Sequence, residues 1–295
     1  ALMIGAFVER IKFSAMLIFL SMWLLVVYVP VTHWVWGGGI LSSWGTMDFA
    51  GGIVVHATAG TAALVTALTL GKRRGFPKSI TPPHSPILTM IGASMLWIGW
   101  FGFNAGSALG ANGGAGMAML VTHISAATAS LVWMFIEWRR FGKPSLIGVV
   151  TGMVAGLATV TPASGYIGVP GGLVLGFFGG LFCYLAVDYI RGKLQIDDSL
   201  DVFAVHGVGG ILGTLLVAFL ATSTFSGLGL AEGQTAVSQF FVQLKAVVLT
   251  VVWTSVFTYL ILKITSFIVP LRVDEQEEIE GLDLRSHGEK GYHWD

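Results

Sequence analysis

Long apolar stretches alternate along this chain with short clusters of charge, and the clusters set the register of the rest. Lys and Arg fall in tight groups: Arg10 and Lys12; Lys72, Arg73, Arg74 and Lys78; Arg139, Arg140 and Lys143; Arg191 and Lys193. The gap from Phe13 to Gly71 is 59 residues without a basic side chain. A helix crossing a bilayer needs about 20 residues at about 1.5 Å per residue, so this gap holds two crossings and a turn. The next two gaps hold a pair each. Every basic group therefore returns to one side, which the positive-inside rule makes cytoplasmic. The opposite loops contain no Lys or Arg, and the first carries Trp34, Trp36 and Trp44, as a membrane interface favours.

The pattern predicts spans at 14–32, 49–70, 87–108, 115–137, 145–162, 168–190, 202–221 and 236–268. These make about eight full transmembrane helices of an all-α polytopic membrane protein. Ala1 to Val8 is apolar and is followed at once by Glu9, Arg10 and Lys12, without an initiator Met or a basic leader. It reads as the end of a further helix that begins before this chain. After Pro270 the composition turns acidic and polar, so residues 1–270 form the membrane domain and 271–295 a cytoplasmic tail.

Composition agrees with this and narrows the function. Hydrophobic residues are 54% and charged residues 11% of the 295, well below the charge of a soluble domain. The forty glycines suit helices packed closely in lipid. Sixteen basic residues balance sixteen acidic ones, which gives no footprint for nucleic acid. Cys183 is alone, so there is no internal disulfide, and no Cys/His cluster suggests a metal.

Ionisable residues inside a span cost free energy unless they face a cavity or a partner. His56 lies eight residues into a span entered from outside, about 12 Å deep. His206 lies five residues past Asp201 in a span entered from inside. The two sit at similar depth on helices of opposite direction, with small residues beside each that allow close approach, so they can meet. Structural hydrogen bonding alone would explain either one taken singly. Asp48 and Asp201 precede them. Capping is the simpler account of Asp201, whereas Asp48 divides evenly between capping and a charge at the pore mouth. His123 reads as packing, and Lys245, inside the last span, as a side chain that snorkels to an interface.

The stretch WIGWFGFNAGSALGAN places Phe101, Phe103 and Ser107 at the outer surface, near the loop carrying Trp36. Aromatic faces and a hydroxyl suit a small cation, although an interfacial aromatic belt has the same composition.

Several segments in order, FVERIKFSA, DFAGGIVVHATAG, GWFGFNAGSA, EWRRFGKPS, TPASGYI, DVFAVHGVGG and GLDLRSHGEKGY, run from end to end of the chain. Together they resemble the ammonium transporters of the Amt/Mep/Rh family, bacterial Amt type. The resemblance implies an ammonium-transporter fold of eleven helices with an inverted repeat, of which this chain holds the end of the third and helices four to eleven. It further implies a homotrimer in the cytoplasmic (inner) membrane, no cofactor, and no enzymatic activity. The family's pore histidines fall on His56 and His206, its vestibule acid on Asp48, its outer recruitment site on Trp36 and Ser107, and one gating phenylalanine on Phe103. The second gating phenylalanine has no counterpart here. The tail resembles the segment that contacts neighbouring subunits and a PII-type regulatory protein.

On this reading the cation is selected at the mouth and deprotonated. Ammonia then passes along the histidines between apolar walls, while the proton moves separately. Competing readings are an ammonium sensor on the same fold, a bis-histidine haem cytochrome, and an intramembrane hydrolase using Ser107, which sits in no nucleophile elbow.

Overall fold

The computed structural model describes residues 1–79 and 82–292, and these form helices and connecting turns. The end of the expected tail, from His293 on, lies outside the described residues. The helices are α1 (Phe13–Trp23), α2 (Val29–Trp36), α3 (Ile40–Ser43), α4 (Thr58–Leu70), α5 (Pro86–Gly106), α6 (Gly113–Phe141), α7 (Leu146–Val160), α8 (Val169–Val187), α9 (Val208–Leu220), α10 (Ala236–Ile268) and α11 (Glu275–Glu280). A π-helical segment, Leu24–Tyr28, joins α1 to α2 without a break. Two more π-helical segments, Gly52–Ala57 and Phe203–Gly207, lead directly into α4 and α9, and each carries one of the mid-span histidines.

Among the described residues, seven continuous helical stretches are long and apolar enough to cross a membrane. The expected span at 145–162 is the exception. It forms α7, only 15 residues long, and reaches about 22 Å. The chain turns away at Pro162, which lacks an N–H to continue the ladder. The apolar start is likewise a short 3-10 turn, Leu2–Ala6, in place of the helix end the sequence suggested. By contrast α10 has the expected bounds and 33 residues. Lys245 within it places its Nζ 5.2 Å from the centre of the Trp44 ring, a cation–π contact with the turn that follows α3.

Small residues set how closely the helices approach. A side chain at Gly60 would strike the backbone of Gly207, and one at Gly210 would strike the Cβ of His56. The histidine-bearing helices therefore cross backbone against backbone, as helices in lipid do at small residues. Gly156 and Gly176 pack in the same way against the Ser125 carbonyl, which draws α6, α7 and α8 together.

The basic groups do gather at one end. Arg10 is fully buried there and donates to Ser199 Oγ at 2.9 Å and to the Asp197 carbonyl at 2.6 Å. Arg73 pairs with Glu9 and holds Asp197 at 2.9 Å. Arg272 donates to the carbonyls of Leu70 and Lys72 and to Glu278, which fixes the start of the tail to the same end.

Candidate functional site

The site forms where the two π-helical segments meet. Such segments, rare as single turns, displace a side chain from its normal helical heading and recur at functional positions. Here they bring His56 Nδ1 and His206 Nδ1 to 3.2 Å. The rings lie nearly parallel, 5.2 Å between centres and 18° between planes. His56 is buried and His206 half-buried.

Two imidazole nitrogens at hydrogen-bond distance need one proton between them, so one ring donates from Nδ1 and the other accepts. In the neutral pair, the ring that donates at Nδ1 has a bare Nε2, while the other carries its proton there. The pair thus presents one acceptor and one donor at its outer nitrogens. His56 Nε2 is buried and has no partner within the protein. A small polar solute that both donates and accepts a hydrogen bond matches this arrangement.

The surroundings are apolar. Trp100 stacks on His56 at 5.4 Å and 9°, and Phe103 meets it edge-on at 6.2 Å. Trp100 Nε1 donates to Thr161 Oγ1 at 2.9 Å, which fixes the plane of the stack. A cavity of about 540 Å³, lined by residues including Val55, His56, Met95, Trp100 and Phe103, opens beside the pair. Trp100 was not singled out from sequence. The available signal was its position three residues before Phe103, which puts both on one helix face.

The remaining expected residues divide. Asp48 is 3% exposed. Its Oδ1 accepts from the N–H groups of Gly51 and Gly52, and its Oδ2 from those of Ile53 and Val54. Its charge is engaged with the free N–H groups at the start of the His56 helix, which is the capping alternative. Trp36 is 45% exposed and donates from Nε1 to the Asp48 carbonyl at 2.8 Å. Ser107 lies one turn beyond Phe103 and donates to its carbonyl at 2.9 Å. Among the described residues no hydrogen bond joins Trp36 to Ser107. Phe101 does not share the Phe103 face. Residues two apart on a helix point about 200° apart, and Phe101 packs towards His123, 6.2 Å between ring centres.

On the other arm the capping role expected of Asp201 passes to Asp198, whose Oδ2 accepts from Phe203 N at 2.6 Å. Asp201 itself sits at φ 55°, a left-handed turn conformation, and pairs with Arg191 at 2.9 Å. Burial pushes its carboxyl up to about 7, with Arg191 opposing the rise. Asp197 is also raised by burial, but the hydrogen bonds and charge of Arg73 outweigh this and hold it below the usual carboxylate range.

An all-helical fold of closely packed apolar helices, with paired imidazoles beside an apolar cavity, defines a polytopic membrane protein with a buried polar station. The model of the ammonium transporter family matches residues 1–292, and the chain belongs to that family. It is 47% identical over 295 residues to ammonium transporter Amt1 of Archaeoglobus fulgidus, covering 99% of this chain and 74% of that protein. It is 46% identical to an ammonium transporter of Aquifex aeolicus, over 99% of this chain and 68% of that one. Among solved structures it resembles a Sensor Amt protein at TM-score 0.90 and 30% identity, covering 97% of this chain and 73% of that one. It also resembles Mep2 of Candida albicans at TM-score 0.85 and 37% identity, over 94% of this chain and 63% of that one.

Proposed function

We propose that the protein moves ammonium nitrogen across the cytoplasmic membrane as neutral ammonia, relayed by the His56–His206 pair. The observation that carries this is the 3.2 Å Nδ1–Nδ1 contact beside an apolar cavity, with His56 Nε2 left unpartnered. A charged ion is heavily disfavoured between such walls, whereas a small neutral amine is not. The cation is drawn to the exposed face of Trp36 and to Ser107, passes Phe103, and gives up its proton before it reaches the pair. Asp48 acts by holding the start of the His56 helix. The family relation supports a homotrimer with the tail on the cytoplasmic side, open to a PII-type partner.

The test is methylammonium flux into liposomes holding the full-length gene product. His56→Ala and His206→Ala should each lower flux by at least about a hundredfold, with the protein still assembled. Parent-level flux in both variants would remove the relay. The sensor reading rests on the likeness to the Sensor Amt protein. It predicts saturable binding of ammonium without flux in the parent.

A further inference from the structure

Gln243 lies on α10, a helix that carries neither histidine, and is fully buried. Its amide uses every hydrogen-bonding capacity it has. Oε1 accepts from Met47 N at 2.8 Å and from Gln239 Nε2 at 3.2 Å. Nε2 donates to the Met47 carbonyl at 2.7 Å and to the Thr214 carbonyl at 2.9 Å. Reversing the amide would set donor against donor at Met47 N, so one orientation is fixed.

The two backbone partners belong to opposite arms of the site. Met47 immediately precedes Asp48, whose carboxylate caps the turn leading to His56. Thr214 lies on α9 eight residues beyond His206, about 12 Å along the same helix. One side chain therefore joins the lead-in of one histidine arm to the continuation of the other. Gln239 touches only one arm, through the Gly45 carbonyl at 3.0 Å. The arms already press together at Gly52, where an added side chain would meet Pro162 and Thr214 Oγ1. That contact resists approach but does not oppose separation or sliding; the amide bridge opposes both.

We propose that Gln243 is a positioning residue of the pore, setting the separation and register at which His56 and His206 share a proton. The proposal rests on the conduction reading for its effect on flux, but not for its effect on the imidazole pair. The test uses the full-length gene product with ¹⁵N-labelled histidine. In the parent, NMR should show a coupling across the Nδ1–H···Nδ1 bond. In Gln243→Met, similar in size but unable to bridge, that coupling should vanish. Maximal methylammonium flux should fall about tenfold, with the half-saturating concentration within about twofold of the parent. Gln239→Ala should keep the coupling and lose less than about threefold in flux.

Coupling and flux at parent values in Gln243→Met would overturn the proposal, as would equal losses in Gln239→Ala, which would place the effect in the loop alone. Should Gln243→Met not assemble, Gln243→Glu, which keeps the shape but loses at least one of the two donors and so the double bridge, is read in the same way. Failure of both to assemble would assign Gln243 to folding and overturn its positioning role. If His56→Ala keeps its flux, the conduction reading falls, while the NMR coupling still decides the role of Gln243.

Discussion

The two arms that carry the histidines share a local plan, an aspartate followed by a π-helical turn with histidine as its penultimate residue and then a regular helix, yet they are anchored by different chemistry. On the His56 arm one carboxylate, Asp48, takes four backbone N–H groups and is sealed from water. On the His206 arm the work is divided: Asp198 caps, and Asp201 pairs with Arg191 at the end where the basic residues gather. An anion satisfied by fixed dipoles is rigid. One balanced by a half-exposed arginine remains titratable. The His56 arm is thus built as a fixed reference, and the His206 arm retains a group that can respond to pH.

The largest break in this comparison comes from Asp48→Ala. It leaves four N–H groups buried without acceptors and should cost about 3 to 5 kcal/mol of unfolding free energy in mixed micelles. A loss under about 1 kcal/mol would show that water replaces the carboxylate there, and that the arm is not rigidly set.

Asp201 sharpens the contrast through its sign. Its folded value of about 7 lies above the ordinary 3.8. Its contribution is therefore full below about pH 4 and is lost as pH rises towards 7, with a slope of up to about 1.4 kcal/mol per pH unit. Asp201→Asn should flatten this limb of the stability profile. An unchanged slope in the variant would assign the pH response to another group.

A smaller effect is expected at Trp36, whose indole braces the Asp48 carbonyl while its face stays open. Trp36→Leu should raise the half-saturating methylammonium concentration about fivefold with little change in maximal flux, about 1 kcal/mol of cation attraction. A fall in maximal flux alone would make Trp36 a brace rather than a recruiter.

Much of this was legible in the sequence. Basic clusters at intervals long enough for helix pairs predicted most spans to within a few residues, because the cost of charge in lipid leaves little freedom. The meeting of His56 with His206 followed from matched depth on opposed helices. The exact roles of the acids did not follow, since a pattern of residues does not show which of Asp197, Asp198 and Asp201 takes the left-handed turn at φ 55°. Gln243 was passed over because an isolated amide in a long apolar helix resembles any other tolerated polar residue, and its partners lie up to 196 residues away. Trp100 was hidden among other aromatics of its stretch, and only the pairing of the arms shows that its face completes the stack.

Whether the two imidazoles work as one hydrogen-bonded unit is measured most directly by a double-mutant cycle on methylammonium flux. With His56→Ala, His206→Ala and the double variant in the same liposomes, the double should fall within about twofold of either single, because the first substitution already dissolves the unit. Losses that multiply, each histidine contributing its own factor regardless of the other, would contradict such a unit.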